Sequence, residues 1–567
     1  EKVKFILVLK IKNIHHNGNM NTKISVKGQE IQFNESTRSV SVTDVLLARF
    51  SDWHSLLDAG MDDLHDPYLL KDMDKAIARI KQAKTNKEKV MIFWDYDVDG
   101  VTSTSLMVHM LKKLWILVSY RLPHRVEDGY GLKTKFVDEA LELWVDLLIT
   151  VDCGSRDREI VTDAKNKWLD IIVTDHHSVP DDMPLDAIAF VNPARPDCSY
   201  PFTGLAGAGV AFKIVCALAR EYFPKKNAED YIKESIDVAA LGTVADCMQL
   251  VGENRIIVAA GLKQIKYSRS NGLKFLVEDR INEDLDGDVF GFHIGPRLNA
   301  AGRMDTPYKA VNLILNNGET LMDTIREIEW LNELRKSKTG EFVEYALENV
   351  NPKDNIIFYD SPDISHGIIG IVAGRLTERF FRPSIVLIDE WDKLVASCRA
   401  PEYFSIVDLL EKYKDYLIAF GGHKQAAGFS ISKEKYPEFK DKILWELNAQ
   451  DFTKHKRVLA VDGAIKLDEI GFKLLDSIAK FKPFGMWNPV PKFLIENFEI
   501  ESVKFLWKWR DHIKFESRYG FKIFAFGMGE YYEEIKSAWR CDVICELAED
   551  NWQGKRGIMI RVVDIVL

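Results

Sequence analysis

The sequence predicts an α/β protein of several domains, and three observations carry that expectation. Apolar runs at residues 90–94, 147–151 and 171–174 show little polar interruption and are separated by helical stretches, as buried parallel strands are. Each run stops at acidic residues or histidines: Asp95-Tyr-Asp97-Val-Asp99-Gly100, Asp152-Cys-Gly154 and Asp175-His176-His177. A second strand and helix alternation starts at Ile356, and the last hundred or so residues turn strand-rich. A chain of 567 residues exceeds a single core and implies roughly three or four units.

Strand, helix, strand order implies right-handed crossovers into one parallel sheet, so the three strand ends fall along one edge. In open α/β sheets that edge binds ligands. A fourth segment, Gly242-Thr-Val-Ala-Asp246, closes an apolar stretch at 236–244 that reads as mostly helical, and it has to fold back over the same edge. An extended backbone through 95–99 would point Asp95, Asp97 and Asp99 the same way, since side chains alternate with a period of two. Three carboxylates on one side repel one another unless cations lie between them. The four segments hold enough hard ligands for two divalent ions, and carboxylates mixed with imidazole suit Mn²⁺, Mg²⁺, Fe or Zn²⁺.

Residues 1–42 form an N-terminal extension that is strand-like and polar by turns, with His15-His16 in a solvated turn and no assigned role. Helical spacing begins near Thr43 and leads into an α/β unit over 43–255, in which Asn192-Pro193 and Tyr200-Pro201 mark a loop. Gly204-Leu-Ala-Gly207-Ala-Gly209 lacks the preceding strand and glycine order of a phosphate loop and reads as a close-packed helix start. Residues 256–350 are helical, with Leu321, Ile325, Ile328 and Leu331 striping a long connecting helix. A smaller α/β unit occupies 351–450. Residues 455–567 combine short strands with a helix-like piece at 530–538, which suits a β-barrel of the oligonucleotide-binding type.

The formal net charge of -10 argues against a surface attractive to nucleic acid everywhere, while 76 lysines and arginines leave room for a local basic channel. Seven scattered cysteines read as reduced thiols, and Cys541 with Cys545 lacks the second pair a structural zinc needs. No run approaches a membrane span, and 5–9 is too short for a signal-peptide core. The expected location is the cytoplasm.

The ordered set DYDVDG, VDCG, DHH and GTVAD closely resembles the DHH phosphoesterase superfamily. GPRLNAAGRM (295–304), HGIIGIVAGRL (366–376), SCR (397–399), GGHKQAAGF (421–429) and KPFGMWNPVPKF (482–493) narrow the likeness to the RecJ family of single-strand-specific exonucleases, from about Thr43 to the C-terminal region. Ser155 stands where an aliphatic residue is more usual, and Trp487 where the family commonly has glycine. The resemblance implies a parallel-sheet DHH domain, a smaller DHHA1-type α/β domain joined to it by a long helix, and a C-terminal OB-like β-barrel.

The resemblance also implies chemistry. Hydrolysing a phosphodiester needs a nucleophilic water, a clamp on the phosphoryl oxygens and help for the leaving alkoxide, and two metals about 3.5–4 Å apart can supply all three. Asp97 and Asp152 would hold one ion, with Asp95 near it, and Asp99, Asp152, His176 and Asp246 the other, Mn²⁺ or Mg²⁺ in each case. Asp152 would bridge. His177 would polarise the scissile phosphate or protonate the leaving oxygen, with Asp175 orienting a histidine. Arg125, Arg303, Ser397 and Arg399 are the implied phosphate contacts, including a pocket for the 5′ end. Gly421 and Gly422 would let the strand approach closely, with His423 at the scissile region, while Arg297 and Arg375 read equally well as structural ion-pair partners. Trp507-Lys-Trp509-Arg510 mixes aromatic and basic residues as base-stacking platforms do, although aromatics in a small barrel are more often core.

The implied activity is metal-dependent 5′-to-3′ exonuclease action on single-stranded DNA, releasing mononucleotides in repair or recombination. A helicase and a single-strand-binding protein would be its partners. Two alternatives remain at this level: a DHH-family phosphatase or phosphodiesterase of short oligonucleotides or small phosphates, and a non-catalytic DNA-binding scaffold of replication. The filled ligand positions weigh against the scaffold, and the strand-rich terminal unit favours a polymer substrate.

Overall fold

The computed structural model describes residues 20–34, 42–47, 49, 57, 59–94, 96–123, 131–361, 363–506, 510–517, 521–550 and 556–567. The chain forms two compact units, one from Asp63–Gln249 with Ile256–His455, the other from Glu1–Asp62, Leu250–Arg255 and Lys456–Leu567. The first strands among the described residues of the second unit are an antiparallel pair, β1 (Met20–Ile24) and β2 (Glu30–Asn34). His15 and His16 lie outside the described residues.

The larger unit is centred on a five-stranded sheet. Its strands are β3 (Lys89–Trp94), β4 (Leu117–Arg121), β5 (Leu147–Val151), β6 (Asp170–Thr174) and β7 (Ala189–Val191). Their order is β4-β3-β5-β6-β7 and every pairing is parallel. The three apolar runs are therefore the three central strands, buried almost throughout because helices cover both faces. Sequence reading missed β4 and β7: β4 is half exposed and β7 is only three residues long, so neither shows a long apolar run.

Register aligns the site. Trp94 pairs with Val151, and Val151 with Thr174, so Asp152 and Asp175 leave their strands side by side at one level. The crossover direction reverses between β4 and β5, which puts the ends of β3 and β5 at the switch point where such sheets bind ligands. Residues 97–99 do not form the extended strand their alternation suggested. Asp97 accepts a hydrogen bond from Gly100 N (3.0 Å) and caps the helix Val98–Lys113, so Asp99 lies in that helix's first turn.

The same unit contains a mixed sheet of β8 (Ile357–Asp360), β9 (Ser384–Glu390), β10 (Lys393–Arg399), β11 (Leu417–His423) and β12 (Ala426–Ser432), ordered β11-β12-β10-β9-β8. The helix Leu321–Asn349 buries the Leu321, Ile325, Ile328 and Leu331 stripe and packs on the helices Gly295–Met304 and Ile369–Phe380.

In the smaller unit β13 (Val458–Val461) pairs in parallel with β2, so the N-terminal strands join the C-terminal region in one sheet. There β14 (Gly463–Ala464), β15 (Phe493–Phe505), β16 (Ile513–Ser517), β17 (Lys522–Ala525), β18 (Arg540–Asp550) and β19 (Gly557–Val566) follow. Pairing of β15 with β18 closes five of them into a barrel, with Phe493, Phe498, Phe515, Cys541 and Cys545 inside. Among the described residues no helix is long and apolar enough to cross a membrane.

Candidate metal centre

The sheet edge gathers four of the expected ligands. His176 Nε2 lies 3.1 Å from Asp152 Oδ1, 3.5 Å from Asp246 Oδ2 and 3.7 Å from Asp99 Oδ2. Asp246 arrives as the C-cap of the helix Lys225–Ala245, the fold-back that the GTVAD segment called for. Asp97 stands at the cap of the neighbouring helix. Asp95 falls outside the described residues.

Backbone geometry fixes these groups. Asp152 adopts φ +60°, a left-handed conformation that Asp tolerates better than most non-glycine residues, at the sharp exit from β5. Gly154 follows at φ +111°, where a Cβ would meet Thr150 Oγ1 at 2.8 Å and Val173 Cγ1 at 2.9 Å. The buried Asp99 carboxylate accepts the N–H groups of Gly207 (2.7 Å) and Ala208 (2.8 Å) at the start of the helix Gly207–Tyr222. The glycine-rich 204–209 segment is thus a close-packed helix start, and its free amides serve a carboxylate. A Cβ on Gly207 would lie 2.7 Å from Asp152 Oδ1, and one on Gly242 would lie 2.8 Å from Asp99 Oδ1.

Asp175 organises the histidine pair. Its Oδ1 accepts the His176 N–H (2.7 Å), the His177 N–H (3.2 Å) and the His177 Nδ1–H (2.8 Å), and its Oδ2 accepts the Ser155 N–H (2.9 Å). Buried Asn192 donates to Ser155 Oγ and to the His177 carbonyl, both at 3.0 Å. Ser155, the departure noted in the sequence, is therefore built into the polar support beneath the histidines.

The electrostatics match a site made for cations. Burial, then the charge of Asp97, pushes Asp99 up to about 7 despite the two helix amides. Burial, then Asp99 and Asp97, raises Asp246 to about 8, and Asp152 is raised well above its ordinary value by burial and then by Asp99. Burial lowers His176 to about 4, so its imidazole is neutral near pH 7. Buried His176 Nε2 has no hydrogen-bond partner among the described residues. A bare Nε2 lone pair facing three carboxylates is electrostatically unfavourable until a cation enters, so the donor set fits a divalent ion. Two ligand groups fall within coordination reach: Asp99, His176 and Asp246, and Asp152, His176 and His177. Burial opposes the charge on His177, but the hydrogen bond and charge of Asp175 outweigh it and raise His177 to about 9.

The expected nucleic-acid contacts occupy two other places. Arg303 donates to the Gly367 carbonyl (3.0 Å), and Arg399 donates to Ser397 Oγ (3.2 Å) and the Cys398 carbonyl (2.8 Å). A Cβ on Gly370 would touch the Arg399 guanidinium at 2.9 Å and Ser397 Oγ at 3.1 Å, so all three residues gather at the start of the helix Ile369–Phe380. Gly302, one residue before Arg303, packs on the Tyr96 carbonyl, with 2.7 Å to an added Cβ. The GRM segment therefore lies between the first acidic loop and this helix start. Gly421, Gly422 and His423 lie exposed at the end of β11, with Gly422 at φ +145°. Arg297 pairs with Glu329 (2.8 Å) and Arg375 with Glu378 (3.2 Å). Arg125, Trp507 and Trp509 lie outside the described residues.

A parallel sheet that brings carboxylates and histidines to its switch point, followed by a second α/β domain and a closed barrel, defines the DHH class of phosphoesterase architecture. The chain matches the models of the DHH family N-terminal domain over residues 89–243, the DHHA1 domain over 353–449 and the RecJ OB domain over 461–564. It is 34% identical over 453 residues to the single-stranded-DNA-specific exonuclease RecJ of Salmonella typhimurium, a match covering 75% of this chain and 78% of that one. The corresponding RecJ of Bacillus subtilis is 34% identical over 517 residues, 88% of this chain, which spans 64% of that relative's length. Among solved structures, RecJ from Thermus thermophilus in complex with Mn²⁺ matches with a TM-score of 0.79 and 28% identity, over 93% of this chain and 76% of that one. A Mg²⁺ complex of the same protein matches with a TM-score of 0.72. The chain belongs to the RecJ family.

Proposed function

We propose that this protein is a metal-dependent exonuclease that degrades single-stranded DNA from its 5′ end and releases 5′-mononucleotides. The observation that carries the reading is the convergence of Asp99, Asp152 and Asp246 on Nε2 of His176, in a chain of the RecJ family. Asp99, Asp152, His176 and Asp246 would hold one divalent ion, and Asp97 with Asp152 and Asp95 a second, Mn²⁺ or Mg²⁺. Such ions, when bound, lower the pKa of water, clamp the phosphoryl oxygens and stabilise the departing oxygen.

The chain's own residues do the rest. Burial favours the neutral imidazole of His176, which leaves it a lone pair for coordination. Asp175 keeps His177 protonated near neutral pH, which suits it to donate a proton to the 3′ oxygen of the released nucleotide as the P–O3′ bond breaks. That bond choice leaves a 5′-phosphate on the shortened strand. Arg303, Ser397 and Arg399, with Arg125, would receive the terminal 5′-phosphate, and each cut would regenerate the group they hold. Gly421, Gly422 and His423 would line the strand's path on the DHHA1 domain.

The test is digestion of 5′-phosphorylated single-stranded DNA carrying a 3′ label, with Mn²⁺ or Mg²⁺, by the native chain and by Asp152→Ala. Stepwise shortening from the 5′ end, lost in the variant, is expected. Hydrolysis confined to dinucleotides or small phosphates would overturn the polymer substrate.

A further inference from the structure

Twelve non-glycine residues among those described have positive φ, and five of them are tryptophan: Trp115 (+61°), Trp144 (+56°), Trp168 (+64°), Trp391 (+55°) and Trp487 (+65°). The whole chain has 13 tryptophans, so a scarce residue supplies nearly half of a rare conformation. Left-handed backbone is uncommon outside glycine and is filled mainly by Asn and Asp; a bulky side chain there is an outlier.

Each of the five sits at a turn that wants glycine. Trp115 follows the helix Val98–Lys113, with Trp115 N donating to Lys112 O (3.0 Å) and Ile116 N to Leu111 O (3.0 Å). After the helix Thr134–Glu142, Trp144 N donates to Leu141 O (3.0 Å) and Val145 N to Ala140 O (2.9 Å). After Arg158–Asn166 the same pair runs from Trp168 N to Lys165 O (3.1 Å) and from Leu169 N to Ala164 O (3.0 Å). These are Schellman helix ends, whose left-handed residue is usually glycine because it has no Cβ. Trp391 opens the two-residue loop joining β9 to β10, where Glu390 pairs with Lys393, a position for Asn or Gly. Trp487 is the third residue of a turn closed by Gly485 N to Asn488 O (2.9 Å) and Asn488 N to Gly485 O (3.1 Å), and positive φ there calls for glycine.

Packing does not repay the strain. The five indoles are 93%, 86%, 94%, 96% and 66% exposed, whereas tryptophan is ordinarily highly buried. Independent drift at five tolerant turns would leave a mixture of residue types, as the remaining seven positive-φ positions do with Asp72, Lys87, Asp152, Cys247, Phe381, Asn497 and Arg510. One misfit repeated at unrelated turns in both compact units points to a common origin upstream of folding.

We infer that the working protein carries glycine at 115, 144, 168, 391 and 487, and that one codon rendered as tryptophan in this sequence is read as glycine by the ribosomes that make the protein. The codon UGA has the required relationship, since one base change converts it to the tryptophan codon UGG and another to the glycine codon GGA. It follows that these five exposed indoles are not a base-stacking surface for a DNA strand.

Two measurements test the inference. The gene is read at the five positions and the protein from its source cells is sequenced by tandem mass spectrometry. UGA codons and a glycine in each of the five peptides are expected; UGG codons, or tryptophan in the peptides, would overturn it. Separately, the full chain with tryptophan at the five positions is compared with the chain carrying Trp115→Gly, Trp144→Gly, Trp168→Gly, Trp391→Gly and Trp487→Gly. Relief of side-chain strain should raise the melting temperature by at least about 2 °C. An unchanged or lower melting temperature would contradict the claim that these turns are built for glycine.

Discussion

The neighbouring histidines are held in opposite states by different causes, Asp175 for His177 and burial for His176. Through a hydrogen bond and its charge Asp175 raises His177 to about 9, while burial drives His176 down to about 4. Asp175→Asn removes the charge and should lower the alkaline limit of the pH–rate profile, with a loss in kcat of about 10–100-fold. His177→Ala should cost about 100–10,000-fold in kcat while metal binding at Asp99, Asp152 and Asp246 persists. A profile unmoved by Asp175→Asn would rule out this role. The carboxylates give a second pH dependence. Asp99 and Asp246 have pKa values raised to about 7 and about 8, so the metal-free folded chain binds protons that the unfolded chain has released. Their contribution therefore lowers metal-free stability as pH climbs from about 4 to about 8 and levels off above that. A cation must displace the same protons, so Mn²⁺ affinity should rise between about pH 6 and 8 and flatten beyond. Calorimetric titration in buffers of different ionisation enthalpy checks this; affinity constant across that window would contradict it.

At the scale of elements, the ends of β3, β5 and β6 were legible because long apolar runs stop abruptly at acids and histidines. Strand register then places Asp152 beside Asp175. The amides of Gly207 and Ala208 that hold Asp99 were not legible as such, because any residue can supply an N–H and only the fold shows which helix start faces which carboxylate. The 204–209 glycines were the available signal, and they announced close packing without naming the partner. At 97–99 the extended reading failed where Asp97 capping outcompeted strand continuation, a local hydrogen bond that alternation ignores. Asn192 was visible only as part of a loop, yet it ties Ser155 to the His177 backbone. The small residues carry a further expectation. Gly242→Ala would press on Asp99, Thr102 and Ala208, and Gly207→Ala on Asp152. Each should destabilise by about 1–3 kcal/mol and weaken metal binding before the fold is lost. Thermal unfolding with and without Mn²⁺ separates the effects: a variant that melts early yet gains the native increment from Mn²⁺ would show that the glycine serves packing alone.

For the whole molecule, the sequence order of the DHH, DHHA1 and OB matches along the chain agrees with the domain order read from motifs, and the closed barrel agrees with the terminal strand pattern. Less legible was the pairing of the N-terminal strands with β13, because partners separated by more than four hundred residues leave no local trace. Within the larger unit, Arg303 on the helix Gly295–Met304 touches Gly367, while a Cβ on Gly302 of the same helix would touch the Tyr96 carbonyl, so the segments proposed to bind phosphate and metal share one element. That continuity underlies the proposed directionality, in which capture of a 5′-phosphate positions the next bond. Arg399→Ala should therefore raise KM for 5′-phosphorylated DNA more than for 5′-hydroxyl DNA, read from initial rates on the two substrates. Equal effects would place Arg399 outside the end pocket. The most direct test of the central claim is a time course on 3′-labelled, 5′-phosphorylated single-stranded DNA and its duplex with Mn²⁺, using the native chain and Asp152→Ala. Progressive 5′ shortening of the single strand alone, abolished by the substitution, is expected; shortening from the 3′ end, equal attack on duplex, or full activity in Asp152→Ala would contradict it.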